Sequence, residues 1–431
     1  MRAPRRAVIG SGVAGLTAAH VLSAHGPVTL YEADGRLGGH ADTHEVEVGG
    51  RVVKVDTGFI VHNDRTYPTL LRLFRELGVQ TQESDMSMSV RCDDEGLEYA
   101  GAKGARGLFP MAGNLANPAY LRMLGEVRRF HREARGLLRS GRASDETLAS
   151  FVRRGRFSDY FARFFLEPLV AAVWSCDPDK ALEYPARYLF EFLDHHGMLT
   201  VFGSPTWRTV TGGSARYVER VAAGIDEIRL GRPVRAVTER DGEVLVQDDH
   251  SVEAYDSVVI AVHPHQALAM LAEATPLHRE VLGSIRYSQN VAQLHTDESV
   301  LPRSAGARAS WNYWQREGRE GGVLVTYDMT RLQRLDVDGP RLLVTLNGID
   351  CVDQRLVIET MEYEHPLYTP DSVAAQRRLP ELNSARVAFA GAYHGWGFHE
   401  DGARSGVAAA AHLGAKWQVA AADERLEVAA S

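Results

Sequence analysis

The first signal along the chain is a short apolar run at residues 7–9 that stops at a glycine turn, Gly10-Ser11-Gly12-Val13-Ala14-Gly15. Small apolar residues continue over 16–24 as a buried helix would, Gly26 breaks them, and residues 28–31 form a second apolar run. Strand, glycine turn, helix, strand is the opening of a doubly wound α/β domain. At 66–77 the spacing is helical, with Leu70, Leu73, Phe74 and Leu77 on one face and Gly78 as the stop. A longer helix is predicted over 120–142, with Leu121, Leu124, Val127, Phe130, Ala134 and Leu137 as its apolar stripe. Alternation of period two returns at 232–237 and 243–247, on either side of the hairpin signal Asp241-Gly242. Residues 257–262 are a buried run ending at Pro264, and 322–328 and 341–347 read as strands of a second sheet. A last core strand at 386–390 leads through glycines to a helix over 402–413.

Composition narrows the class. A chain of 431 residues exceeds what one core usually serves, so two domains are expected. With 45% hydrophobic and 24% charged residues it is an ordinary globular sequence, neither disordered nor fibrous. The net charge of −8 argues against nucleic acid as a partner. No apolar run reaches about 18 residues, so no spanning helix is predicted. Cys92, Cys176 and Cys351 are too scattered for a disulfide framework or a zinc site, which fits a reducing cytoplasm. Arg5 and Arg6 before a small-apolar stretch imitate a secretory signal, but the glycine spacing has its own chemistry and a signal peptide is rejected.

Three motifs carry that chemistry. In Gly10-x-Gly12-x-x-Gly15, the first glycine permits the tight turn, the second lets a pyrophosphate approach the backbone, and the third lets helix and strand pack closely. The N-terminus of the helix after this turn faces the phosphates, and Glu32, 20 residues beyond Gly12, is placed to accept ribose hydroxyls. The second motif is Arg36-Leu37-Gly38-Gly39, with Thr43 four residues on. A simple NAD domain has no need of this second glycine pair, whereas an extended FAD runs past such a loop. The third motif, Phe389-Ala390-Gly391 and then Gly397 to Gly406, delivers a strand to a glycine loop and a helix N-terminus. A helix end there suits the ring edge where negative charge develops as a flavin accepts hydride.

Together with Asp56-Thr57-Gly58, Thr211-Gly212-Gly213-Ser214 and residues 258–264, these segments resemble the flavin-containing amine oxidase, phytoene desaturase and protoporphyrinogen oxidase superfamily. The resemblance spans nearly the whole chain in the family's order. It implies an α/β fold in which a Rossmann-like FAD-binding domain is interleaved with an α+β substrate domain. The expected division is 1–75, 205–270 and 384–431 for FAD, and 76–204 (helical, basic) and 271–383 (sheet-rich) for substrate. Residues implied to bind FAD are Gly10, Gly12, Val13, Ala14, Gly15, Glu32, Arg36, Gly38, Gly39, Thr57, Gly58, Val234, Gly391, Gly402 and Ala403, with the Val234 backbone beside the adenine. His40 stands where the family has a second basic residue, and no counterpart is identified for the lysine that several amine oxidases keep near the flavin. Residues 55–63 and 397–402 resemble a bacterial subgroup associated with cyclopropane fatty acid synthases and other fatty-acid-modifying enzymes.

The implied activity is an FAD-dependent oxidoreductase removing hydride from an apolar, fatty-acyl or lipid-like substrate. The alternatives are a flavin-dependent isomerase without net redox change, an amine oxidase on a small amine, and a non-catalytic flavoprotein partner of a fatty-acid-modifying methyltransferase. His62 and Tyr393 are the catalytic candidates, and Asn63, Trp207, His394 and Trp396 the substrate-facing ones, because each adjoins a flavin motif. No metal site is expected: His263-x-His265 and His195-His196 have no further ligands at a metal spacing. Residues 101–142 carry nine Lys/Arg (Lys103, Arg106, Arg122, Arg128, Arg129, Arg132, Arg135, Arg139, Arg142) against Glu126 and Glu133. That segment reads either as a solvated face or as a peripheral membrane contact with anionic lipid. Trp311 and Trp314 read as packing in the second sheet or as the lining of an apolar tunnel.

Overall fold

The computed structural model describes residues 3–101, 103–140, 146–199, 205–316 and 323–418. Arg142, Gly322 and the division points at 204 and 431 lie outside them. Five parallel strands make the first sheet, in the order Glu227–Arg229, Val28–Tyr31, Arg6–Ile9, Ser257–Ile260, Val387–Phe389. All but the first of these are buried at every position, as strands covered on both faces should be. The helix Val13–Ser23 leaves the end of Arg6–Ile9 and packs along the last helix, His399–His412. Three antiparallel strands, Val234–Arg240, Glu243–Asp248 and Val252–Tyr255, branch from this unit. Their first turn puts Asp241 at φ +54° and Gly242 at φ +85°, the left-handed pair such a hairpin needs.

The second sheet has seven strands, ordered Val357–Pro366, Tyr287–His295, Leu343–Leu346, Val325–Asp328, Trp311–Gln315, Met88–Cys92, Leu97–Ala100. Only Trp311–Gln315 against Met88–Cys92 runs parallel, so two early strands join partners more than two hundred residues later. Its core is shared with a helical layer whose longest member is Pro118–Arg139. Six phenylalanines, Phe130, Phe151, Phe157, Phe161, Phe165 and Phe190, meet there at centroid distances of 4.8–6.3 Å.

Two expectations need correction, and the tryptophan pair packs in the second sheet as the first of its two readings has it. The helix Pro118–Arg139 buries Tyr120, Met123, Glu126, Phe130 and Ala134, while Leu121 is 43% exposed. Its phase turns on Glu126, whose carboxylate accepts from the Ser158 N–H (3.0 Å) and hydroxyl, so an acid stands on the buried face. Trp311 and Trp314 lie three apart on one strand and face opposite sides: Trp311 meets Tyr327, whereas Trp314 donates to Asp93 under the Arg91 guanidinium. The last helix starts at His399, three residues before the expected start at 402, because Asp401 turns back to accept from the N–H groups of Trp396 and Phe398.

Candidate active site

The glycines of the first turn divide by what surrounds them. A Cβ on Gly10, which sits at φ +97°, would lie 2.7 Å from the Ala261 carbonyl oxygen, and one on Gly15 would lie 1.9 Å from that of Gly10. Both positions are closed to any side chain. A Cβ on Gly12 would meet nothing within 4 Å. That is the open face a phosphate needs, and no side chain caps the helix that starts at Val13, leaving its first N–H groups for an anion. Glu32 follows directly after the neighbouring strand Val28–Tyr31 and accepts from both the N–H and hydroxyl of Ser11. The Arg232 and Gly231 N–H groups donate to the carbonyls of Glu32 and Asp34, which brings the start of the Val234–Arg240 strand to the same corner.

Arg36 fixes its own loop. It donates to the Gly39 carbonyl (2.9 Å) and to Asp42 (2.9 Å), and the Gly38 N–H bonds Ser11, which ties the second glycine pair to the first turn. Burial opposes ionisation of Asp42, but hydrogen bonds from His44, Arg36 and Tyr363 hold its carboxyl below the usual range. Tyr363 also meets the Thr57 hydroxyl at 2.7 Å, and Gly58 packs on the His40 carbonyl. Next to them, Asp56 accepts from Thr43 (2.6 Å), from the N–H and hydroxyl of Ser214 (2.8 Å each) and from Gln333 (3.0 Å). Burial pushes Asp56 up to about 6 despite these donors. One carboxylate therefore joins three motifs remote in sequence.

The C-terminal motif closes the site from the other side. Gly391 donates to Ser405, and Gly402 and Gly406 face the first helix: a Cβ on Gly402 would lie 2.6 Å from Val13 Cγ1, and one on Gly406 2.3 Å from the Ala14 carbonyl oxygen. Gly402 thus packs on the first helix within the first turns, and Ala403 beside it is fully buried. The Gly395 carbonyl accepts from Tyr188 (2.8 Å), Tyr368 (2.9 Å) and Gln376 (2.6 Å), and Trp174 donates to the Trp396 carbonyl (3.0 Å). Glu400 accepts from the N–H groups of Thr69 and Leu70, capping the helix Pro68–Glu76.

Among the candidates read from sequence, Trp207 and Trp396 come together around a residue not among them, His196. Its ring lies 4.2 Å from Phe192, 6.1 Å from Trp207, 6.2 Å from Trp396 and 6.0 Å from Phe398 by centroid. His399, also missed, stacks on Phe59 at 3.6 Å. His62 is fully buried among Phe59, Tyr67 and Phe74, with neither ring nitrogen partnered among the described residues. Burial pushes His62, His196 and His394 down to about 4 and His399 to about 3, so all four are neutral at pH 7. Tyr393 is buried over Gly391 with its hydroxyl unpartnered among the described residues. Asn63 uses its amide on Arg65 and Thr66 of its own turn, which makes it a turn residue rather than a free substrate ligand. Sequence spacing signalled none of the distant contributors, Tyr363, Gln333 and His196.

Open space over Gly12, an uncapped helix N-terminus and an acid at the ribose end fit an adenine dinucleotide, and in the adjoining loop the rings of His263 and His365 lie 6.3 Å and 5.4 Å from that of His40 by centroid. Bound there, FAD would supply a ring that accepts hydride, and this chain's residues would position it and exclude water. No protein of curated function matches the chain in sequence. In fold it is similar to cyclohexylamine oxidase from Brevibacterium oxydans IH-35A (TM-score 0.69, 18% identity, 98% of this chain and 99% of that one). A double mutant of putrescine oxidase gives TM-score 0.70 at 15% identity over 96% and 99% of the two chains. The CLA-producing fatty acid isomerase from P. acnes gives 0.68 at 17% over 94% and 97%. Residues 13–413 match the family of flavin containing amine oxidoreductases. The chain belongs to that family and is an FAD-dependent oxidoreductase.

Proposed function

We propose that this enzyme removes hydride from an apolar substrate of fatty-acyl or lipid type. The carrying observation is the chemistry around His196: rings of Phe192, Trp207, Trp396 and Phe398, with the neutral His196 ring between them. The carboxylates of the adjoining motif are already engaged, Glu400 by Thr69 and Leu70 and Asp401 by Trp396 and Phe398, and burial raises both toward the neutral acid. Neither is free to hold the ammonium of an amine substrate, and an acyl chain needs no such partner. Anaerobic mixing of the FAD-loaded enzyme with fatty acyl compounds and, separately, with primary amines tests this. Lasting loss of flavin colour with the acyl compound alone is expected; loss with the amine alone overturns the reading. The fold shared with a fatty acid isomerase favours a second reading, which acyl product without lasting bleaching would support.

The same reading takes one face of the helix Pro118–Arg139 as a contact with anionic lipid. Arg128, Arg132, Arg135 and Arg139 recur at i, i+4, i+7 and i+11, all exposed and in no ion pair among the described residues. No helix among the described residues is long and apolar enough to cross a membrane.

A further inference from the structure

The spacing of His263 and His265 leaves them without a third ligand, and the fold provides one from a hundred residues away. Glu364, on the edge strand Val357–Pro366, reaches His263 Nδ1 at 2.6 Å and stands 3.6 Å from His265 Nε2. One ligand atom from each of the three lies within 4.8 Å of the others. The His263 ring plane is set from below by Tyr287, stacked at 4.3 Å and 27°. The side chains of His263 and Glu364 are 29% and 25% exposed and that of His265 is 52% exposed, so the cluster opens to solvent on one side.

We propose that His263, His265 and Glu364 form a binding site for a divalent transition metal of the zinc class. Two imidazoles and one carboxylate are the donor set that such a cation takes in preference to magnesium or calcium, which require more oxygen ligands. Bond lengths of about 2.0–2.2 Å to each ligand require these atoms to stand roughly 3–4 Å apart, so the 2.6 Å contact of His263 with Glu364 must open slightly and the exposed His265 ring must turn toward His263. A fourth position is left for water. The metal takes the place of the hydrogen bond between His263 Nδ1 and Glu364, with the neutral His263 ring carrying its proton on Nε2. The site joins the two halves of the molecule: His263 and Pro264 follow directly from the strand Ser257–Ile260 of the parallel sheet, while Glu364 belongs to the seven-stranded sheet. Its effect is a cross-link beside the dinucleotide turn, where Ala261 and Val262 contact Gly10.

The test uses the FAD-loaded protein, freed of metal by chelation and titrated with Co²⁺ and with Zn²⁺. One equivalent is expected to bind with micromolar affinity, to give the absorption bands of low-coordinate Co²⁺, and to raise the melting temperature. His265→Ala and Glu364→Gln are each expected to weaken binding by roughly tenfold or more. In His265→Ala the flavin content and visible spectrum should stay unchanged, because His265 is half exposed. Absence of stoichiometric binding overturns the site. Binding that both variants retain overturns it as well, since the metal would then lie elsewhere. The outcome is independent of what the flavin oxidises.

Discussion

Two glycine-to-alanine changes on helices should act in opposite directions. At Gly406 a new methyl would lie 2.3 Å from the Ala14 carbonyl oxygen and 3.0 Å from the Ala18 nitrogen, both backbone atoms that cannot rotate away. It intrudes about 1 Å inside ordinary contact, so the helices Val13–Ser23 and His399–His412 must separate by a similar distance, enough to forfeit a quarter to a half of each contact along the seam. Overpacking of this kind costs about 1–3 kcal/mol, against a gain of about 1 kcal/mol from replacing glycine in a helix. At Gly125, exposed on the helix Pro118–Arg139, a methyl meets nothing within 4 Å, and only the gain of about 1 kcal/mol remains. Unfolding entropy of about 2 cal/mol/K per residue makes each kcal/mol worth roughly 1 °C in a chain of this length. The sharper readout is therefore FAD affinity, because the helix that moves carries the phosphate-facing turn. Gly406→Ala should lower the melting temperature and weaken FAD roughly tenfold, the equivalent of about 1.4 kcal/mol, while Gly125→Ala should raise the melting temperature and leave FAD alone. A Gly406→Ala protein that melts and binds FAD like the parent would refute the close-packing argument.

Asp56→Ala removes the acceptor shared by Thr43, Ser214 and Gln333 and should cost about 3–5 kcal/mol, read by chemical denaturation; a cost below 1 kcal/mol would mean that water replaces the carboxylate. The buried histidines make the fold acid-labile: His62, His196 and His394 titrate near 4 in the folded chain against about 6.5 unfolded, so between those values the unfolded state binds more protons and stability falls as pH falls. Asp56 and Asp401, raised to about 6, oppose this by favouring the protonated fold at low pH, but they are fewer. Each histidine is worth up to about 2 kcal/mol at pH 5, and equal denaturant midpoints at pH 7 and pH 5 would contradict the sign. Reversing Arg128, Arg132, Arg135 and Arg139 to glutamate should abolish flotation with anionic vesicles at low salt and leave turnover of a soluble acyl substrate intact; flotation unchanged by the reversal would remove the arginine face from any membrane contact.

What was legible in the sequence was local. The strand at 28–31 stands where the apolar run placed it, and the Asp241-Gly242 turn is the hairpin its residues specify. The order of glycine motifs gave the family, because each motif serves one backbone requirement that a short stretch can declare. Glu126 was hidden because a carboxylate on a buried helix face is legible only once Ser158 is known to lie opposite. Asn63 read as a substrate group because nothing in its spelling shows that Thr66 and Arg65 consume its amide. Tyr363, Gln333, His196 and Glu364 arrive through strand pairing and helix packing across hundreds of residues. Periodicity reports which face of an element is buried, not what it is buried against.

The strand order of the parallel sheet also dictates when the site comes into being. Its central strand, Arg6–Ile9, lies between Val28–Tyr31 and Ser257–Ile260, and Val387–Phe389 completes the far edge. The helix that packs on the phosphate turn ends only at His412. At ribosomal rates of about 5–20 residues per second, roughly 20–80 s separate synthesis of the glycine turn from synthesis of its last packing partner. During that interval Gly10 and Gly12 have no lasting cofactor to hold, and the Ser257–Ile260 edge is unpaired once made. Cofactor loading is consequently a late event in the life of each molecule, and a chain halted before residue 387 carries the dinucleotide signature without the enclosure that retains a dinucleotide.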